Sequence, residues 1–372
     1  MNRARIIESF APGITLAGRS SCDDVRLMEA ALVRLRDGSS EFDCGHAGTV
    51  LRFLALRLSR LPGTWVLNGS TRLLNRPQAA LVEVLTQLGV HSRSEESRLI
   101  LESGGWNASA VQVDGSASSQ FLSGLVLNAW DLPAPLTIQL RTPLVSRAYF
   151  ELTEKMVGYF GMQIDGGEDH WRIEAHQTPR VLPFAVEPDM SSCFAVVACA
   201  ILGGQAIIEN FPRESWQPDA VFRGLLNRMG VDWLQESSTL QVRRSENLAP
   251  LNLDVNNCPD LVPVLAVLLA RANGESRLTG FEHLVHKESD RLHKAQELVT
   301  RLGRQCGLSG REFVIHGRAE SFSARGDFDP DEDHRMAMAA QVANWGGASL
   351  NILNKDVVNK SFPEFWAIAG NP

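Results

Sequence analysis

No run of apolar residues in this 372-residue chain approaches the eighteen or so that a membrane-spanning helix needs. The first residues, Met1-Asn2-Arg3-Ala4-Arg5, lack the long apolar core and small-residue cleavage site of a secretory leader. A cytoplasmic protein with no membrane partner is therefore expected. Cysteine is sparse: six residues, at 22, 44, 193, 199, 258 and 306, contain no C-x-x-C pair and no Cys/His metal spacing. That excludes the common zinc motifs and favours reduced, structural thiols; no metal and no cofactor are expected. A net charge of −7 argues against non-specific nucleic-acid binding, although it averages over the surface and permits a local basic pocket. No P-loop, dinucleotide fingerprint or zinc signature occurs, and spacing alone assigns no Ser/His/Asp or Cys/His arrangement.

What the chain does have is repetition. Helix-like stretches end in a hydrophobic residue plus glycine at Gly89, Gly161, Gly230 and Gly303, at intervals of 72, 69 and 73 residues, with another at Gly370. Glycine is the expected residue just past a helix, because it adopts the left-handed conformation without strain. In the second half Asp189, Asp260 and Asp333 each begin a helical stretch and are followed fourteen residues later by Gly203, Gly274 and Gly347. An aspartate suits each start as an N-cap, its carboxylate accepting an orphan helix N–H. Short β-like pieces lie between, such as 64–67, 136–140, 206–208 and 349–352. Each unit reads as helix, strand, helix, hairpin. Six units of about seventy residues make an α/β (α+β) protein of two domains, 1–186 and 187–372, with the boundary near 184–188. Counting fourteen back from Gly13 passes Met1, so the first unit is expected to be incomplete at its front.

The chemistry-bearing residues sit at helix starts. Gly45-His46-Ala47-Gly48-Thr49 leads into an apolar helix, and small residues there let backbone N–H groups reach an anion. A plain glycine-rich turn accounts for the same residues. Arg76-Pro77 is expected to open the helix 78–88, where a cation opposes the helix dipole and hints at a bound anion; a solvated arginine is the bland alternative. Ser118-Ser119-Gln120 heads the helix 121–129 and Ser146-Arg147-Ala148-Tyr149 the next; hydroxyls plus free N–H groups suit a phosphate, or simply cap. Cys258-Pro259-Asp260 opens a buried helix, and Lys287-Glu288-Ser289-Asp290-Arg291 crowds four charges into five residues before another. Asp333-His334-Arg335 places two potential cations at a helix start, with neighbouring acids able to neutralise them. Lys360 stands just ahead of the last helix.

In combination and in order these motifs resemble those of 5-enolpyruvylshikimate-3-phosphate (EPSP) synthases, over essentially the whole chain. The carriers are Ala47-Gly48-Thr49 with Arg52, Arg76-Pro77, Ser118-Ser119-Gln120, Ser146 with Tyr149, Asp189 with Ser191-Ser192, Pro259-Asp260, Lys287 to Arg291, Asp333 to Met338, and Lys360 with Phe362-Pro363. The resemblance implies the two-domain enolpyruvyl transferase fold, each domain three βαβαββ units with pseudo-threefold symmetry. It implies a monomeric enzyme whose partners are phosphoenolpyruvate and shikimate 3-phosphate, which draw the domains together. The N-terminal domain would serve shikimate 3-phosphate, and the C-terminal domain would carry the catalytic carboxylates and a carboxylate clamp. By resemblance Glu288 is the acid/base at the methyl carbon, Asp260 takes the hydroxyl proton, and His334 stands beside the phosphate. Gly48, Arg76, Arg291, Arg335 and Lys360 would hold phosphoenolpyruvate. Arg3, Ser118, Ser119, Gln120, Ser146, Tyr149, Asp260 and Lys287 would hold shikimate 3-phosphate. The family's front pattern S-K-S-x-x-N-R survives only as Asn2-Arg3, which implies a chain shortened at its N-terminus, recorded from an internal methionine or catalytically impaired. His46 stands where the family usually has Asn, and Gly48 at its glyphosate-determining glycine. The sister transferase acting on UDP-N-acetylglucosamine shares the fold and is the remaining alternative.

Overall fold

The computed structural model describes residues 1–370 and divides into two compact units, one ending at Val186 and the other beginning at Glu187. The first opens with α1 (Asn2–Glu8), β1 (Leu16–Ala17) and α2 (Asp23–Arg36). Next come β2 (Glu41–Asp43), α3 (Gly48–Leu58), β3 (Gly63–Asn68), α4 (Thr71–Asn75), α5 (Ala79–Gln87) and the hairpin β4 (His91–Glu95) with β5 (Arg98–Ser103). The pattern recurs as β6 (Ala110–Val113), α6 (Gln120–Leu127), β7 (Leu136–Leu140), α7 (Arg147–Tyr159), β8 (Ile164–Gly167) and β9 (His170–Ile173), and the unit closes with β10 (Phe184–Ala185).

Two four-stranded sheets, β2-β3-β5-β4 and β6-β7-β9-β8, each hold one parallel pair and then antiparallel pairs. A parallel pair needs a crossover, which α3 and α6 supply, whereas a short turn suffices for each hairpin. Strands β1 and β10 pair in parallel by themselves. Helices α3 and α6 are largely apolar and buried on nearly every side: Val50, Leu51, Phe53 and Leu54, and Leu122, Leu125 and Val126, have no exposed surface. Helix α1 packs against both, so three inner helices form the centre of the unit.

The second unit repeats the scheme with α8 (Met190–Gly203), β11 (Gln205–Ile208), α9 (Phe222–Met229), β12 (Trp233–Glu236) and β13 (Thr239–Arg243). Then follow β14 (Asn252–Asp254), α10 (Val262–Arg271), β15 (Gly274–Thr279), α11 (Arg291–Arg301), β16 (Gln305–Ser309) and β17 (Glu312–Gly317). The chain ends with β18 (Arg325–Phe328), α12 (His334–Trp345), β19 (Ser349–Ile352) and α13 (Phe365–Ala369). Its sheets are β11-β13-β12, β14-β15-β17-β16 and the parallel pair β18-β19. Here α8, α10 and α12 are the inner trio, each touching the other two. In both units the polar residues singled out above cluster around the N-terminal ends of inner helices, where free N–H groups and the helix dipole favour anions.

The glycine beat is real: Gly89, Gly161, Gly230 and Gly303 all have positive φ and follow α5, α7, α9 and α11. Two expectations fail. Asp260 does not cap a helix; it lies inside the 3₁₀ turn Pro259–Leu261 that precedes α10, and its carboxylate goes elsewhere. Arg76 does not open a helix; it ends α4, which spacing did not reveal, and α5 starts only at Ala79. A cation just past a helix C-terminus is favoured by the dipole, so the anion argument drawn from Arg76's position lapses. Among the described residues no helix is long and apolar enough to cross a membrane.

Candidate active site

In the second unit one buried guanidinium organises the polar residues. Arg291, the first residue of α11, is 1% exposed and donates to three carboxylates: Nη1 to Asp260 Oδ1 at 2.7 Å, Nη2 to Glu288 Oε2 at 2.8 Å, and Nε to Asp333 Oδ2 at 2.7 Å. Asp260 offers its other oxygen to Arg335 Nη2 at 2.9 Å. Glu288 offers its own to Lys360 Nζ at 3.2 Å. Asp333 caps α12 by accepting the Arg335 N–H and also accepts the Ser289 hydroxyl. Residues from four separate segments thus meet in one network, because each carboxylate has two oxygens and each arginine a planar fork.

Electrostatics follow from that contact list. Burial pushes the Asp260 carboxyl up, but Arg335, Arg291 and Lys287 outweigh it and hold the group far below the usual carboxylate range. Asp333 is likewise held low against its burial by Arg291, while Arg291 is driven further towards its charged form by Asp333, Glu288 and Asp260 despite its own burial. His334 behaves oppositely. Burial, reinforced by Lys360 and Arg335, brings its imidazole down to about 3, and Nδ1 has no hydrogen-bond partner. It is neutral near pH 7, so the pair of cations expected at the start of α12 is one cation and one neutral ring.

In the first unit Arg52, one turn into α3, takes the organising place. It is 3% exposed and donates to Gln120 Oε1 at 2.8 Å, Ser118 Oγ at 3.4 Å, Gln78 Oε1 at 3.2 Å and the Pro77 carbonyl at 3.4 Å. Gln120 in turn donates to Thr49 Oγ1 at 3.2 Å. The Arg76 guanidinium lies against Gly48, within 3.0 Å of where a Cβ would stand. Gly48, Thr49, Arg76, Ser118, Ser119 and Gln120 therefore share one neighbourhood. Arg3, on α1, donates to Thr153 Oγ1 and the Tyr149 carbonyl, with its guanidinium over the Phe53 ring. Burial brings it down to about 10. Ser146 precedes α7 in a left-handed conformation (φ 52°), unusual for serine and costing about 1 kcal/mol or more.

Sequence reasoning placed Asp260, Lys287, Glu288, Arg291, His334, Arg335 and Lys360 in the site, and the structure brings them together in the second unit. Asp333, expected as a helix cap and as one of the acids able to neutralise its neighbours, pairs with the more distant Arg291; Gln78 was overlooked, and no local signal exists for it. His283 was missed as well: a buried imidazole near Lys287, Asp260 and Arg291, brought down to about 3 chiefly by burial. The six cysteines form no disulfide with one another, and burial raises Cys193 and Cys258 to about 12, consistent with an inert structural role.

Two threefold-repeated units with charged residues at the inner-helix tips define the enolpyruvyl transferase fold. An EPSP synthase from Acinetobacter baumannii superposes with a TM-score of 0.76 at 21% identity, covering 99% of this chain and 92% of that one. The enolpyruvyl transferase NikO from Streptomyces tendae does so at 0.70 and 14% identity, with the same coverage. The model of the EPSP synthase (3-phosphoshikimate 1-carboxyvinyltransferase) family matches residues 19–368, and the chain belongs to that family of transferases. A 3-phosphoshikimate 1-carboxyvinyltransferase of Syntrophobacter fumaroxidans is 35% identical over 336 residues, 87% of this chain and 77% of that protein. One of Bacteroides fragilis is 30% identical, covering 98% of this chain and 90% of the other.

Proposed function

We propose that this chain transfers the enolpyruvyl group of phosphoenolpyruvate to the 5-hydroxyl of shikimate 3-phosphate and releases phosphate, with Asp260 and Glu288 as its proton-handling pair. The observation that carries the assignment is the two-carboxylate, two-arginine cluster in a chain of this family: Asp260 bridged to both Arg291 and Arg335, and Glu288 bridged to Arg291 and Lys360.

Glu288 delivers a proton to the methylene carbon of phosphoenolpyruvate, the adjacent carbon becomes cationic, and the 5-hydroxyl attacks it as Asp260 takes the hydroxyl proton. The resulting ketal expels phosphate and returns a methyl proton to the Glu288 carboxylate, restoring the vinyl group. Arg291 and Arg335 hold the phosphoenolpyruvate carboxylate. The family resemblance gives phosphate-binding roles to Lys360 in the second unit, with neutral His334 alongside, and to Arg76 and the Gly48 backbone in the first. The resemblance gives shikimate 3-phosphate roles to Arg3, Ser118, Ser119, Ser146, Gln120 and Tyr149 in the first unit and to Lys287 in the second. The arginines that would clamp the substrate carboxylate are bonded to Asp260 here, so substrate entry draws them away from it. An aspartate relieved of two cations gains proton affinity, which a general base requires.

The test is initial-rate phosphate release from the two substrates. Turnover by the wild type is expected, with kcat falling by about 10²- to 10⁴-fold in Asp260→Asn and in Glu288→Gln. A wild-type chain that binds shikimate 3-phosphate calorimetrically yet shows no turnover overturns the catalytic assignment.

A further inference from the structure

We propose that Arg52 is a positioning residue that fastens the three anion-binding segments of the first unit into one rigid frame, so that both substrate subsites keep their shape together. The inference rests on the substrate assignment made above. The three segments are Gly48-Thr49 at the start of α3, Arg76-Pro77 between α4 and α5, and Ser118-Ser119-Gln120 at the start of α6. They are remote in sequence, and the Arg52 guanidinium touches or is one bond removed from each.

Its Nη1 serves the α6 start through Gln120 and Ser118, its Nη2 the Pro77 carbonyl next to Arg76, and its Nε the Gln78 side chain. Gln120 carries the link on to Thr49, and Gln78 passes it to the Leu73 carbonyl of α4. The Phe121 ring lies under the guanidinium at 4.8 Å. A planar fork with fixed N–H directions, seated between a ring and four acceptors, has one satisfactory orientation. Lysine offers a single point charge with no such geometry and cannot reproduce it. Its N–H groups are engaged by Gln120, Ser118, Gln78 and the Pro77 carbonyl, and it acts on the subsites through those segments.

Loosening this frame weakens substrate binding in ground state and transition state alike, a pattern that raises KM and spares kcat. For Arg52→Lys the KM values for phosphoenolpyruvate and shikimate 3-phosphate rise together by about tenfold, with kcat within about threefold of wild type. Gln78→Leu leaves the arginine and its bond to the Pro77 carbonyl and cuts its side-chain tether to the α4–α5 segment. It raises KM for phosphoenolpyruvate more than for shikimate 3-phosphate. Both variants are measured in the full chain, alongside melting temperature. A purely structural arginine gives a lower melting temperature and a reduced active fraction with both KM values unchanged, and that result overturns the proposal. Should Arg52→Lys fail to fold, unchanged KM values in Gln78→Leu overturn it equally. A wild type without turnover overturns the substrate assignment and this inference with it; an active wild type with unmoved variants overturns this inference alone.

Discussion

Gly48 has space for a hydrogen and little more. An added Cβ would approach Arg76 Nη1 to 3.0 Å, tighter than ordinary contact, and the flexible guanidinium would give way before the helix does. Gly48→Ala is therefore expected to keep the melting temperature and to raise KM for phosphoenolpyruvate by about tenfold, since a displaced cation weakens an anion site more than it weakens the fold. Initial rates at varied phosphoenolpyruvate check this, and an unchanged KM would count against the phosphate-binding role proposed for Arg76. Position along a helix was legible for such residues, and partners were not. Asp260 reads as an N-cap because it precedes an apolar run. In the structure both of its oxygens are taken by Arg291 and Arg335, 31 and 75 residues away, and these charge-assisted bonds prevail over a helix cap.

Asp333 joins two elements. One oxygen caps α12; the other holds Arg291 at the start of α11 and the Ser289 hydroxyl beside it. Removing the carboxylate takes away a cap and leaves an almost fully buried arginine short of a partner. Asp333→Ala should thus lower the unfolding free energy by about 3–5 kcal/mol. Urea titration measures it; a loss below about 1 kcal/mol would mean that α11 and α12 are not held together in this way. At this scale the sequence was read well where a glycine ends a helix, as at Gly89, Gly161, Gly230 and Gly303. It was read poorly at short pieces. The five-residue α4 has too few turns to show a hydrophobic period, and missing it reversed the meaning of Arg76, which follows a helix C-terminus instead of opening a helix.

Over the whole molecule, stability should depend on pH through the second unit's two buried imidazoles. His283 and His334 are both brought down from 6.5 to about 3, mainly by burial. Between those values the unfolded chain binds protons that the folded chain refuses, so stability rises with pH in that window. The contribution is fully present above about 6.5 and is lost as pH falls towards about 3. The depressed carboxylates act in the same direction but begin only near their lower unfolded values. From pH 7 to about 5 the histidines therefore dominate, at on the order of 1–2 kcal/mol each. Urea titrations at the two pH values should show that loss, and it should shrink in the His283→Asn, His334→Gln double variant. A pH-independent unfolding free energy would show that these rings are not buried neutral.

Sequence alone determined the repeat, its glycine punctuation, the largely apolar helices and the order of the motifs, because each depends on neighbours within a turn or two of the chain. The family resemblance rested on that same local order. Only the tertiary structure decided that Asp260 answers to two arginines, that His334 is neutral and that Arg52 joins three segments. Each of these depends on burial and on contacts between residues tens of positions apart, which spacing along one chain does not encode.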